Sequence, residues 1–502
     1  MFSEKEISQI EKRGSHKKEV EQQIENFING FPYLDAKRAA SVGDGILKFS
    51  DTEVEHYEKY YNKKSGIKKI IKFVPASGAA SRMFKELFAF LENNDIDGNK
   101  AAQVFIKGLK DFAFYEQLAS RLTAKGANID ESFEGNNYAV IVEELLSSEG
   151  MDYGSLPKGL LKFHKYGDKT RTPVEEHFIE GASYAVSSGN NVNLHFTVSP
   201  EHQLKFEQHV EEVKSFYEQL AGVTFNVSFS QQKKSTDTIA VDMQNKPFLD
   251  GEEILFRPAG HGALLANLDD LDGDVIFIKN IDNVLPDQFK ASTIQYKKVI
   301  GGLMIELQDN IFELTEKLKG TIEDGIIAEA ELFLSSKINL NLPIDYHLNA
   351  SDKKVEYLLS KLERPLRVCG MVKNTGEPGG GPFWVFDQDG TEAIQIGETA
   401  QIDLANPAQA DLLKNSTHFS PTDLVCGIKD RNGNKYNLMK HRDPQTGFIT
   451  SKSKSGRALK AQELPGLWNG SMANWNSVMV EVPLSTFNPV KSVNDLLKPA
   501  HQ

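Results

Sequence analysis

The segment VIFIKNIDNVLPD, residues 275–287, constrains this chain more than any other. Val275, Ile276, Phe277 and Ile278 run apolar without alternation. That is the pattern of a strand covered on both faces in a parallel sheet. An acidic, amide-rich turn follows. Ligands of open α/β sheets bind just beyond the carboxyl ends of strands. Asp282 stands at that position, where a carboxylate can reach a divalent metal and the phosphates it carries. Taken alone, the segment favours the plainer reading of a strand and a polar turn. Its neighbours change the balance.

Upstream lies RPAGHGALLANL, residues 257–268. Gly260 and Gly262 lack a Cβ and allow close backbone approach to a phosphate or a planar ligand. His261 between them suits a hydrogen bond, a stacked ring or a plain turn. KKIIKFVPASGAASRMFK, residues 68–85, reads as a strand, a small-residue loop through Ala76, Ser77 and Gly78, and a helix. That order is the geometry of an anion cradle, with Arg82 and Lys85 at its mouth. Neither a Walker A loop nor a dinucleotide fingerprint is present.

In LPKGLLKF, residues 156–163, Pro157 fixes the backbone before Lys158, which can meet a phosphate as a point charge. Lys162, Lys165 and Lys169 compete for that role. TPVEEHFIEGASYA reads as a helix capped by Thr172, with Pro173 first and Glu175 completing the capping box. His164 and His177 are expected to be surface or packing residues, since no second ligand stands at metal-site spacing. VTFNVSFSQQ, residues 223–232, reads as a strand ending in paired glutamines, whose amides suit the edge of a base.

Strand signals near 68–75, 192–198, 223–229 and 274–279 alternate with helices, which predicts a mostly parallel α/β sheet with helices on both faces. Residues 1–64 read as an N-terminal helical region, with Ile7, Ile10, Val20, Ile24, Phe27 and Ile28 as a packing stripe. Residues 84–150 read as a helical insertion. Residues 291–320 read as a long amphipathic helix or a helix pair, followed by more helix to 364. Strands and turns dominate from 365 onward. The expected division is 1–64, 65–400 and 401–502.

The chain has 502 residues, 40% hydrophobic and 25% charged, with a net charge of −13. No long basic block argues for nucleic acid, and no apolar run approaches membrane-spanning length. Cys369 and Cys426 are the only cysteines, which excludes a disulfide framework. The charged start, MFSEKEISQIEKRG, lacks the apolar core of a leader, so the cytoplasm is the expected location.

Six segments together resemble the nucleotide-sugar pyrophosphorylases, especially the UDP-N-acetylhexosamine type. They are PASGAASRM (75–83), LPKGLLKF (156–163), VSFSQQ (227–232), RPAGHGA (257–263), NIDNV (280–284) and FNPVK (487–491), in family order. The whole chain is also similar to a bacterial domain family with no assigned function. Two departures stand out. Ala80-Ser81-Arg82 replaces the family's Gly-Thr-Arg, and 76 positions separate Arg82 from Lys158.

The resemblance implies a GT-A-like nucleotidyltransferase joining a nucleoside triphosphate, UTP first among them, to a sugar 1-phosphate with release of pyrophosphate. It implies Mg²⁺ on Asp282, the pyrophosphate on Arg82, the reacting phosphate on Lys158 and the sugar phosphate on Lys491. Ala76, Ser77 and Gly78 would cradle the nucleotide. Gln231, with Gln232 as alternate, and the backbone at Gly260 and Gly262 would select the base. Gly370 in RVCGMVKNTGEPGGGPFWVF and Asn469 in LWNGSMANW, with Asn474 as alternate, would meet the sugar. Glu377 and the Gly379–Gly381 run are explained equally by a glycine-rich hairpin. Two other readings stay open: a binding protein of the same fold without catalysis, and a glycosyltransferase using Asp272-Gly273-Asp274 as its metal motif.

Overall fold

The computed structural model describes residues 2–376, 380–387 and 389–502; Glu377 and Gly379 lie outside them. The chain is mixed α/β and forms two compact units. Unit 1 comprises Met1–Lys64, Gln231–Phe277 and Lys298–Val482; unit 2 comprises Ser65–Ser230, Ile278–Lys297 and Pro483–Gln502. Each unit is therefore built from three separate stretches of chain.

In unit 2, strands Ile70–Pro75, Asn191–Thr197 and Thr224–Ser230 run parallel, with Ile71 opposite Asn193 and Asn191 opposite Thr224. The short strand Val186–Ser187 joins antiparallel. Helix Pro173–Tyr184 carries the expected Thr172–Glu175 capping box and Pro173 at its start. It packs with helix Gln203–Ala221 over Val74, Val174, Phe178, Leu194, Phe196 and Phe206, one apolar core.

Residues 84–150 form five helices, Lys85–Asn93, Lys100–Lys107, Tyr115–Ala124, Ile129–Glu134 and Tyr138–Leu146. Their apolar faces close over Val284, Val490, Val493 and Leu496. The region expected as an insertion thus shares a core with the turn after Ile281 and with the C-terminal segment.

In unit 1, strand Leu366–Lys373 pairs in parallel with Asn476–Glu481 and antiparallel with His418–Gly427. Gly45–Leu47 adds in parallel to Asn476–Glu481. Ala36–Ala39, Gly381–Phe386 and Glu392–Gly397 form a second, antiparallel sheet. Helices Glu4–Lys12 and Lys17–Asn29 bury Ile10, Val20, Ile24 and Phe27 against Ile239, Val241 and Ile254. Ile28 departs from the expected stripe and is 63% exposed. Helix Ala291–Lys319 is one continuous element rather than a pair.

Strand Val275–Lys279 is buried at every residue, as its unbroken apolar run requires. The chain passes from unit 1 to unit 2 within it. No helix among the described residues is long and apolar enough to cross a membrane.

Candidate functional site

Four of the expected segments meet within unit 2. Strand Ile70–Pro75 ends at Pro75, and the Ala76 amide is taken by the Thr197 carbonyl, 2.8 Å. The chain then leaves the sheet. Among the described residues, the backbone amides of Ser77, Gly78 and Ala79 donate to no backbone carbonyl, and these three residues are exposed. Amides without carbonyl partners ahead of a helical turn are donors that an anion can take. The Ala80–Arg82 turn follows, and Arg82 is exposed at its end.

The Lys158 loop is laced to this cradle. The Lys158 amide donates to the Gly78 carbonyl at 3.3 Å, and the Ala80 amide to the Leu156 carbonyl at 3.0 Å. The Lys158 ammonium donates to Asp282 Oδ2 at 2.8 Å and to the Val490 carbonyl at 2.7 Å. Both charged side chains are largely shielded, 13% and 20% exposed.

The turn after Ile281 and the C-terminal segment are zipped together. Val490 N donates to the Asp282 carbonyl at 3.1 Å. Buried Asn283 accepts from Asn488 N at 2.9 Å through Oδ1 and donates to the Thr486 carbonyl at 3.3 Å. Val493 N reaches the Met83 carbonyl at 3.1 Å, next to Arg82. Lys491 is exposed between these anchors, its Nζ 5.9 Å from the Phe487 ring centroid and its amide on Asp495 Oδ2 at 2.9 Å. The expected clamp after Lys491 is a short 3₁₀ turn, Val493–Leu497.

Two residues outside the expected site make this meeting possible, Gly159 and Asn283. A Cβ on Gly159 would stand 2.8 Å from the Phe206 ring and 3.3 Å from Ile281 Cγ1. Glycine there lets the lysine loop lie against the segment carrying Asp282. Asn283 does the same for the C-terminal strand of contacts.

Under the site lies a buried ion network. Glu180 binds Lys72 at 2.8 Å and Lys279 at 2.7 Å, and all three are at most 1% exposed. Burial pushes the Lys72 ammonium down to about 7, against the pull of Glu180. Burial alone would raise the Glu180 carboxyl, but Lys279 and Lys72 overcome it and hold it well below the usual range. His177 is fully buried. Desolvation, with Lys72 adding to it, depresses its imidazole well below the ordinary value, so the ring is neutral. Its Nε2 donates to the Ile281 carbonyl at 3.2 Å, one residue before Asp282. His164 is also buried, between Glu176 at 2.9 Å and His501 at 3.0 Å. Both histidines are packing residues, in the interior rather than at the surface.

For Mg²⁺, Asp282 offers a single carboxylate whose Oδ2 is engaged by Lys158. Among the described residues no group of three or more His, Cys, Asp or Glu could hold a metal ion. One carboxylate is nevertheless enough for the mode in which Mg²⁺ keeps its waters and takes substrate phosphates as ligands.

The remaining expected residues lie in unit 1. Gln231 is exposed, just past the strand end, and its carbonyl accepts from Asn267 Nδ2 at 2.8 Å. Gln232 donates to Asp237 at 3.3 Å. Gly260 has φ of +76°, and a Cβ on Gly262 would overlap the Pro465 carbonyl, so both glycines are required by backbone and packing. His261 stacks on Trp468, centroids 4.2 Å apart, and its Nδ1 accepts from Leu467 N. Asn469 is buried and donates to Gln401 Oε1 at 2.8 Å. Gly370 lies inside strand Leu366–Lys373, where a Cβ would meet the Asp423 carbonyl and Val482 at 3.2 Å. Asp272 and Asp274 both pair with Lys429, at 2.8 and 2.9 Å.

Unit 2 is thus an α/β unit that brings together three backbone amides without carbonyl partners, a lysine–aspartate pair and two exposed cations. The model described as a domain of unknown function, DUF4301, matches residues 3–502, and the chain belongs to that family. None of the curated proteins matches it. Among solved structures, the chain is similar to UDP-N-acetylglucosamine pyrophosphorylase from Trypanosoma brucei, at 12% identity, covering 91% of this chain and 69% of that one, with a TM-score of 0.46. It is also similar to a mutant UDP-glucose pyrophosphorylase from Leishmania major solved with UDP-glucose, at 11% identity, 99% and 79% coverage and a TM-score of 0.45. A second mutant of that enzyme gives 11% identity, 95% and 73% coverage and a TM-score of 0.42.

Proposed function

We propose that this protein is a nucleotidyltransferase that joins a nucleoside triphosphate, UTP first, to a sugar 1-phosphate and releases pyrophosphate. The observation that carries the proposal is the meeting, inside unit 2, of open amides at Ser77–Ala79 with Lys158, Asp282 and the Lys491 segment. These groups come from parts of the sequence far apart; the amides and lysines suit a phosphate chain, and Asp282 suits the divalent cation that accompanies it.

The open amides and Arg82 would hold the departing pyrophosphate. Lys158 would exchange its present oxygen partners for an oxygen of the reacting phosphate. Lys491 would neutralise the sugar phosphate, whose oxygen attacks the α-phosphorus in line with the leaving group. No covalent intermediate with the protein is needed; positioning and charge neutralisation suffice. Asp282 would hold Mg²⁺, which when bound offsets charge on the phosphate oxygens.

One observation favours a second reading, a binding protein without turnover. Lys158 is already satisfied by Asp282 and Val490, so it could serve only to latch the C-terminal segment. Against a glycosyltransferase stands the engagement of Asp272 and Asp274 by Lys429.

Thermal unfolding with UTP and Mg²⁺ tests the phosphate site. A ligand at about 100 times its dissociation constant adds ~2.7 kcal/mol to the folded state. A melting temperature that no nucleoside triphosphate moves, with or without Mg²⁺, removes the proposal and the nucleotide-binding form of its rival together.

A further inference from the structure

Strand Thr224–Ser230 lies at an edge of the sheet in unit 2. Among the described residues it pairs with Asn191–Thr197 and with no other strand. In a parallel pair, alternate residues turn their N–H and C=O groups toward the partner. The Ser230 carbonyl accepts from Val198 N at 2.9 Å, so the even-numbered residues face the neighbouring strand. Phe225, Val227 and Phe229 therefore turn their backbone groups away from it. Phe225 N bears this out: it donates to Glu218 Oε1 at 2.9 Å, on helix Gln203–Ala221. Among the described residues, the N–H and C=O groups of Val227 and Phe229 have no hydrogen-bond partner.

Sheet edges are usually blunted by charge, proline, a bulge or short length. This edge has none of these. It is seven residues long, TFNVSFS, uncharged and free of proline, and its register with Asn191–Thr197 is unbroken. The Glu218 contact covers one amide near its start. Charge bears on what the open edge can take. An uncharged strand offers a charged peptide nothing to pair with, and Glu218 already has Lys214 at 3.8 Å. Two copies of the strand meet there without repulsion, although the chain carries a net charge of −13. The open groups are also spaced to satisfy one another. A two-fold axis through Ser228 sets Val227 of each copy opposite Phe229 of the other, and antiparallel residues so placed exchange both N–H···O bonds. Every open N–H and C=O of Val227 and Phe229 is then used, and the Phe225 amide stays on Glu218.

We propose that the protein forms a two-fold dimer by antiparallel pairing of Thr224–Ser230 with the same strand of a second copy, edge to edge. The pairing needs nothing from the phosphate site.

Sedimentation velocity of the full chain, from micromolar to submillimolar concentration, tests the pairing. A reversible monomer–dimer equilibrium is expected. Val227→Pro removes an outward N–H and leaves the bonds to Asn191–Thr197 in place, so this variant should stay folded by circular dichroism and lose the dimer. The axis sets Ser228, which is exposed, opposite its own copy. Ser228→Lys and Ser228→Glu bring like charges face to face and should each weaken association about fivefold or more. An equal mixture of the two should dimerise again. Both variants lose the 2.8 Å contact of Ser228 with His195 Nδ1, so that loss cannot produce the rescue. The rescue identifies a second copy at this edge even if Val227→Pro does not fold. A monomer at every concentration, a dimer that folded Val227→Pro or the Ser228 variants leave untouched, or charge variants that do not recover on mixing would overturn the proposal.

Discussion

Lys158 and Asp282 stand at the centre of the phosphate-site argument, and each has a structural alternative. If Lys158 only latches the C-terminal segment, Lys158→Met costs stability and leaves ligand binding intact. If it meets a phosphate, turnover falls by about 10²–10³, the usual effect of losing one preorganised electrostatic contact. Asp282→Asn should behave likewise, and paired measurements of kcat and unfolding midpoint separate the two roles. The buried network makes a sharper prediction. Glu180→Gln strands Lys72 and Lys279 without their carboxylate, which should cost about 3–5 kcal/mol in urea unfolding. Lys72→Met leaves the Glu180–Lys279 pair in place and removes a desolvated cation, so it should be neutral or stabilising. The pH profile follows from the same residue. Between about 7 and the ordinary lysine value near 10.5, Lys72 binds more protons unfolded than folded. Stability from this residue therefore rises with pH across that window. Melting curves of the native chain should gain on those of Lys72→Met from pH 7 to 10; parallel curves would refute the placement of Lys72.

Elements whose pattern is local could be read directly. The strand at 275–279 was legible because burial on both faces leaves no alternation, and the helix after Thr172 because its capping box lies within four residues. Contacts between distant segments were not legible. Gly159 and Asn283 act only against partners far along the chain, so no spacing rule singles them out. Lys72 was hidden for a related reason: one lysine in a strand reads as solvated until the helix carrying Glu180 is laid over it. Helix Ala291–Lys319 shows the same limit. Gly302 sits where a Cβ would overlap the Tyr57 carbonyl, and one on Gly301 would press 2.8 Å from the Tyr61 ring. The pair reads as a weakness in a helix, yet it lets the backbone of helix Asp51–Ser65 approach. Gly302→Ala should therefore destabilise by roughly 1–3 kcal/mol despite the better helix propensity of alanine. Circular dichroism of that variant should show a lower midpoint; an unchanged or raised midpoint would mean the approach is looser than the structure shows.

At the scale of the whole chain, the alternating strands and helices announced a mixed α/β protein, while its division into units lay beyond sequence reading. Residues 1–64 and 401–482 belong to one unit and 483–502 to the other, because burial, and not chain order, decides which segments share a core. The helices at 85–146 show this most plainly, since their core takes in Val284, Val490 and Leu496. Four of the six motifs supply the residues that unit 2 brings together, while Gln231, Gln232 and the Gly260–Gly262 turn fall in unit 1. Whether that meeting performs chemistry is decided most directly by pyrophosphate release, measured over a matrix of nucleoside triphosphates and sugar 1-phosphates with Mg²⁺, for the native chain and Asp282→Asn. The proposed function requires release that depends on both substrates and drops by about 10²–10³ in the variant. Release from no pair, or release undiminished in Asp282→Asn, would contradict it.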